Sequence, residues 1–207
     1  MDVSGENEVE RRDSGTEEVT ESTRERVFRV ATKLFAENGY EATGVQQISE
    51  HAGLGRGALY HHIKSKEQLL YEISMALMKP VNARAKEIID TGAPPSEQLR
   101  ALARDMLRHL AEDRPAWTVT LYESRALSAE RAADVLSQRQ SYEDAWTEVL
   151  DRGYREGEFQ SISPLLRRGV IGFFNSTYLW IDAAGPVTPE EVADHYVDFL
   201  LEGLARR

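Results

Sequence analysis

Apolar residues recur at spacings of three and four along most of the chain, the period that gives a helix one buried face. The first stripe is Val27, Val30, Ala31, Leu34 and Phe35, with a capping-box pair (Ser22, Glu25) ahead of it and Asn38-Gly39 closing it. A short helix follows in which Val45, Ile48 and Ala52 share a face. Thr43 is expected to cap it, with Gln46 completing a second box, and Gly53 to end it. A further short helix, about Arg56 to Ile63, returns Leu59 and Ile63 to the same core. Ser65 with Gln68 then opens a long helix carrying Leu69, Leu70, Ile73, Ala76 and Leu77. Pro80 is expected to break or kink that helix, because proline lacks an N–H and crowds the preceding turn. A resumed segment to about Asp90 and the loop TGAPPS follow.

The remainder keeps the same period. Leu99, Leu102, Ala103, Met106, Leu107 and Leu110 mark an amphipathic helix that EDRP interrupts, and Trp117 to Leu127 predicts another. Arg131 to about Glu156 is a long stretch with Val135, Tyr142, Trp146, Val149 and Leu150, closed by Gly157. Ser163-Pro164 is a helix start, and the run from Gly169 to Ile181 is apolar on more than one face. Thr188-Pro189-Glu190-Glu191 opens a last helix with Val192, Tyr196, Val197, Leu200, Leu201 and Leu204. No repeat and no alternating strand pattern occurs, so the expected fold is all-α with about nine helices.

Two short helices joined by a glycine turn form a helix-turn-helix, whose second helix can enter a DNA major groove. Arg56, Tyr60 and His61 face outward on that helix, and Gly55 and Gly57 leave the backbone uncovered. Each glycine costs about 1 kcal/mol of helix propensity relative to alanine, which favours close approach to a partner over a simple turn. The run from Ser22 to Leu70, RVFRVATKLFAENGYEATGVQQISEHAGLGRGALYHHIKSKEQLL at its centre, resembles the DNA-binding domain of TetR-type transcriptional regulators. The first helix, the NGYEAT turn, the LYHHI helix and the KSKEQLL continuation all carry the likeness.

That resemblance implies a three-helix DNA-binding domain at 22–66 and a helical ligand-binding and dimerisation domain at 67–207; residues 1–21, polar and acidic, cannot bury enough apolar surface to offset the entropy of ordering and are expected to form a flexible tail. The resemblance further implies a homodimer on near-palindromic double-stranded operator DNA, in the cytoplasm. Thr43, Gly44, Gly55, Arg56, Gly57, Tyr60, His61 and Lys66 would line the DNA, with Thr43 and Lys66 on phosphates and Arg56 on a base edge.

The net charge of −10 is unexpected for a DNA binder until it is divided along the chain. Residues 1–21 hold eight acids against Arg11 and Arg12, for −6; residues 22–66 hold seven cations against four acids, for +3; the rest carries −7. Phosphate attraction is local, so the basic island outweighs the whole-chain balance. Arg11 and Arg12 are a minority candidate for a minor-groove arm. The absence of cysteine excludes disulfides and thiolate metal sites. No apolar run approaches the ~20 residues that span a bilayer, so no membrane partner is expected. The five histidines show no zinc-binding spacing, and no phosphate-binding loop, nucleophile elbow or dinucleotide fingerprint appears. No catalytic residue, metal or cofactor is therefore assigned, and an enzyme is not expected.

The resemblance also implies a small hydrophobic effector in the C-terminal domain. Met75, Trp117, Tyr122, Trp146, Phe173, Phe174 and Tyr178 are the candidate lining. The segment GVIGFFNSTYLWIDAAGPVTPEEVADHYVDFLLEGL looks like the C-terminal part of TetR regulators of lipid and sterol catabolism, some of which respond to acyl-CoA thioesters. Arg125, Arg139, Arg167 and Arg168 are the cations available to acyl-CoA phosphates. The alternatives are a drug- or aromatic-sensing repressor of the same type, or a helical scaffold with a vestigial DNA domain.

Overall fold

The computed structural model describes residues 21–204, and of Leu204 the backbone alone. The tail expected at 1–21 and its Arg11 and Arg12 lie outside the described residues, Glu21 apart. Among the described residues there are nine α-helices and every regular element is helical. α1 (Thr23–Asn38) begins with the expected reciprocal box: Ser22 Oγ accepts from the Glu25 N–H, and the Glu25 carboxylate accepts from the Ser22 N–H. α2 (Val45–His51) and α3 (Arg56–His62) pack on α1 and on each other. Their shared core is Val27, Ala31, Phe35, Ile48 and Leu59, all fully buried.

α4 (Lys66–Asp90) leads out of this unit, packing on α1 near its start and along α7 (Ala129–Glu156). Ser65 Oγ caps it by accepting from the Gln68 N–H, while the Gln68 side chain turns instead to Glu72. The expected interruption at Pro80 does not occur: α4 is one helix of 25 residues. Pro80 and Ala76, whose carbonyl loses its helical donor, both lie on the exposed side, where water can take the place of the missing N–H.

α5 (Pro95–Glu112) packs between α7 and α9 (Pro189–Leu204). Arg104 grips Asp194 with two parallel hydrogen bonds, 2.7 and 2.6 Å, and Arg108 pairs with Glu190 at 3.2 Å. α6 is only Arg114–Thr118, and the single helix expected to Leu127 is replaced by a π-helical turn, Val119–Glu123, and a 3-10 turn, Ser124–Ala126. The wider π-helical turn lets consecutive Val119 and Thr120 both be fully buried. α7 ends on Gly157 in the left-handed conformation, φ 84°. One turn earlier, a Cβ added at Gly153 would overlap the Phe159 ring. α8 (Pro164–Asn175) starts on the Ser163 cap and passes into a 3-10 turn, Ser176–Leu179. Thr188 and Glu191 form a reciprocal box at the start of α9. No helix among the described residues is long and apolar enough to cross a membrane.

Candidate functional site

The turn between α2 and α3 is fixed by short-range bonds. Gly53 has φ 66°, the Leu54 N–H donates to the Ser49 carbonyl at 2.9 Å, and the Ser49 hydroxyl donates to the Leu54 carbonyl at 2.7 Å. From α1, Arg26 Nε donates to the Ala52 carbonyl at 3.0 Å. α3 turns Leu59 inward and leaves Arg56, Gly57, Tyr60 and His61 exposed. Gly44 and Gly55, the two residues that precede α2 and α3, have ordinary negative φ values, and no described glycine of α3 has a positive one. A Cβ at Gly44, Gly55 or Gly57 would meet nothing within 4 Å. Nothing inside the chain therefore requires these three glycines, and the space they leave opens outward.

Thr43 does not do what its sequence position suggested. Gly44, not Thr43, occupies the cap position of α2, and no side chain caps that helix. Thr43 is fully buried, and its hydroxyl points back at the Gly39 and Leu34 carbonyls at 2.8 and 3.2 Å. Satisfying the carbonyl end of α1 takes the hydroxyl that would have capped α2, so Thr43 has no group left for a phosphate. Lys66 is also turned inward. Its ammonium donates to the carbonyls of Tyr40 at 2.9 Å and Thr43 at 3.2 Å, and stands 4.1 Å from the centre of the Tyr40 ring.

The cations of the basic island divide accordingly. Arg24 pairs with Glu72, Arg29 with Glu21 and Lys33 with Glu37, while Arg26 and Lys66 serve backbone carbonyls. Arg56 and Lys64 are exposed and make no ion pair or hydrogen bond with the described residues. Lys64 was not singled out from sequence, although it stands in the KSK step between α3 and α4.

Tyr40 joins this unit to the rest of the chain. Its N–H donates to Glu123 Oε2 at 3.0 Å, across from the π-helical turn. Beside it, Glu67 accepts from the Ser128 N–H and pairs with Arg131, which holds its carboxyl below the usual range, the Ser128 hydrogen bond contributing most. Tyr71 donates to Asp134.

The same π-helical turn walls a small chamber of about 20 Å³, bounded by Met78, Trp117, Thr120, Leu121, Tyr142 and Asn175. Leu121 and Arg139 are shared with two outer clefts, of about 360 Å³ beside Tyr122, Tyr178 and Asn175, and about 310 Å³ beside Arg125 and Leu136. Of the aromatic candidates, the structure brings Trp117, Tyr122 and Tyr178 to this region, the two tyrosine rings 5.6 Å apart. Trp146 and Phe174 are fully buried core behind it, 5.0 Å apart. Phe173 stacks on Tyr196 of α9 at 4.1 Å and lines none of these spaces. Met75 lies apart from these spaces: it borders a separate cleft with Arg24, Phe28 and Tyr71, and Met78, one turn on, lines the chamber. Among the cations, Arg125 and Arg139 reach the clefts, Arg167 is engaged by Asp151, and Arg168 is exposed.

Two family profiles match the chain: one for bacterial regulatory proteins of the tetR family over residues 27–73, and one for the tetracyclin repressor-like C-terminal domain over residues 92–204. The chain belongs to the TetR family. The HTH-type transcriptional repressor KstR2 of Mycobacterium tuberculosis is 27% identical over 191 residues, spanning 89% of this chain and 94% of the relative. The TetR family regulator PfmR from Thermus thermophilus superposes with a TM-score of 0.79 at 36% identity, covering 87% of this chain and 100% of that one. AibR, solved in complex with isovaleryl coenzyme A and operator DNA, gives 0.76 at 26% identity, covering 86% and 97%. These matches span the helix-turn-helix unit and the chamber alike, so this TetR-family regulator shares both halves with its relatives.

The inward role of Lys66 gives a stability test. Lys66→Ala is expected to lower unfolding stability by about 1.5–3 kcal/mol, the range for hydrogen bonds made by a charged donor. The urea midpoint would fall with an unchanged slope; an unchanged midpoint would show that the two carbonyl contacts carry no stability.

Proposed function

We propose that this TetR-family regulator is a repressor that leaves a near-palindromic operator when a hydrophobic small molecule, an acyl-CoA thioester, enters the chamber region. The unit at 22–66 binds DNA, and the body at 67–207 holds effector and partner subunit. The single observation that carries the reading is the double use of the π-helical turn: Thr120 and Leu121 wall the chamber, while Glu123 at its end holds the Tyr40 N–H. A molecule that widens the chamber must move the segment that anchors the DNA-binding unit. Effector then favours a state whose paired recognition helices no longer match successive grooves. The protein acts by binding and not by catalysis, and it works in the cytoplasm, where its operator lies.

At the DNA, Gly44, Gly55, Arg56, Gly57, Tyr60 and His61 form the approach surface, with Lys64 joining them and Thr43 and Lys66 supporting from beneath. Lys64→Ala is expected to weaken binding to all sequences alike. It should reduce the salt slope of a dimer by about 2, one phosphate per protomer at ~0.9 each. Arg56→Ala should instead relax sequence discrimination, by about 1–3 kcal/mol per half-site. Fluorescence polarisation on the DNA upstream of its own gene, over a salt series, separates these outcomes. No binding of that DNA by the wild type would favour the vestigial-domain reading.

The partner is a second copy of the chain. Leu165, Gly169 and Gly172 recur at helical spacing on the open side of α8, and Phe199 and Gly203 do so on α9. Phe173, between Phe174 and the rings of Tyr196 and Phe199, makes the two faces contiguous. Glycines there let a second pair of helices approach closely, and Leu165 at 82% and Phe199 at 68% exposure are costly to leave in water. Sedimentation at micromolar concentration should give a dimer, and Phe199→Glu a monomer that no longer holds the operator; a wild-type monomer would overturn the assignment.

A panel of acyl-CoAs, free fatty acids and planar aromatic cations, titrated into the protein–operator complex, tests the effector. Arg125 and Arg139 at the clefts favour an anionic thioester, whereas Glu143 on the chamber wall favours a cationic drug as the second reading. With whichever compound releases the wild type, Glu123→Ala is read against its own operator affinity without compound, since the substitution loosens the Tyr40 joint. The variant should lose most of the roughly 5–150-fold release typical of such coupling. Undiminished release would remove Glu123 from the route.

A further inference from the structure

The chamber is more polar than a site for plain hydrocarbon needs to be. Trp117 Nε1, Thr120 Oγ1, Tyr142 OH and Asn175 Oδ1 are all buried on its wall without a hydrogen-bond partner among the described residues. Trp117, Thr120 and Tyr142 are 3%, 0% and 4% exposed. They come from α6, the π-helical turn, α7 and α8, so four elements converge on one small space. The Trp146 N–H, likewise without a partner of normal geometry, stands beside the Tyr142 oxygen, and such a contact leaves the hydroxyl's own proton free to donate. A buried polar atom left unpaired costs about 1–3 kcal/mol, so four on one wall form an arrangement that something else must complete.

The groups also say what kind of atom completes it. The indole N–H only donates, the two hydroxyls donate or accept, and the Asn175 amide oxygen accepts. Burial pushes the Tyr142 hydroxyl up from its ordinary range, so it stays neutral and keeps its proton to donate. Glu143 on the same wall opposes a buried carboxylate, and the one cation there, Arg139, also borders both outer clefts. A neutral oxygen fits this set: a carbonyl accepts from the indole and the two hydroxyls, and a hydroxyl can in addition donate to the Asn175 amide oxygen; about 20 Å³ accommodates one such atom and little more.

We propose that the chamber reads an oxygen function at the buried end of the effector, so that the inducing class is oxo- or hydroxy-acyl thioesters and not their plain hydrocarbon counterparts. This rests on the acyl-CoA reading above and sharpens it. The chain passes along the outer cleft by Tyr122 and Tyr178, the charged head stays outside near Arg125 and Arg139, and the oxygen meets Trp117, Thr120 and Tyr142. Such a site rejects an analogue that lacks the oxygen because its own polar groups then stay unpaired.

The test uses a matched pair, octanoyl-CoA and ω-hydroxyoctanoyl-CoA, titrated calorimetrically into the full chain and then into the protein–operator complex. The hydroxylated thioester is expected to bind at least about tenfold more tightly. Tyr142→Phe and Thr120→Val should each bring that ratio close to one. Both variants should melt close to the wild type, since Thr120 makes no intramolecular hydrogen bond and Tyr142 only a marginal contact with the Trp146 N–H. Equal binding of the pair by the wild type overturns the oxygen-reading chamber and leaves the acyl-CoA proposal standing. If neither thioester binds, the acyl-CoA proposal fails, and cyclohexanone against its isostere methylenecyclohexane, followed by tryptophan fluorescence, decides the oxygen separately. A preference for the ketone that Tyr142→Phe abolishes supports the chamber; no preference overturns it.

Discussion

Both backbone polar groups of Tyr40 are held by charged side chains from outside α1: the N–H by Glu123 and the carbonyl by Lys66. The rest of the arrangement hangs on this residue. Its ring packs edge-on against Phe35, 5.2 Å away, and so closes the core of the helix-turn-helix unit. The same ring supports the Lys66 ammonium, which fixes where α4 leaves that unit. One residue thereby ties the end of α1, the start of α4 and the π-helical turn to a common point. Charged hydrogen bonds to backbone are stronger than neutral ones and directional, so the joint resists sliding better than an apolar contact would.

Around the joint, the polar links among α1, α4 and α7 are mostly partly exposed: Arg24 with Glu72, Glu67 with Arg131 and Ser128, Tyr71 with Asp134. Individually such pairs contribute little. Their use is geometric, setting the angle at which α1 meets α4 and α7. The apolar core, by contrast, runs through both halves without a break, from Val27 and Phe35 through Leu70 and Ile73 to Trp146 and Phe174. A tight core with a polar hinge at its side can move one short segment without losing its stability.

Most of this was readable in the sequence because helix periodicity, capping pairs and breaker residues are local signals. Ser22 with Glu25, Gly53, Gly157, Ser163-Pro164 and Thr188 with Glu191 all stand where the residue pattern put them. What escaped depends on distant partners. Thr43 looks like a cap until the Leu34 and Gly39 carbonyls are found behind it, and Lys66 like a phosphate ligand until its two carbonyls are seen. Pro80 looked disruptive because sequence does not show which side of α4 faces water. Aromatic composition suggested a pocket but not its walls: Met78 lines the chamber where Met75 was expected, and Phe173 turns to α9. Asn175 did leave a trace, as an amide inside an otherwise apolar run.

The internal employment of most basic residues near α1–α3 bears on how such a protein finds its target. Binding to random DNA is almost entirely a matter of unneutralised charge, and on the proposed reading Arg56 and Lys64 supply most of it among the described residues of α1–α3 and the step into α4. An acidic body adds repulsion everywhere else. Time lost on the wrong sequence is therefore short, and the genome, with its vast excess of competing sites, traps little of the protein. A modest number of copies can keep one promoter occupied, and a single released copy does not linger nearby.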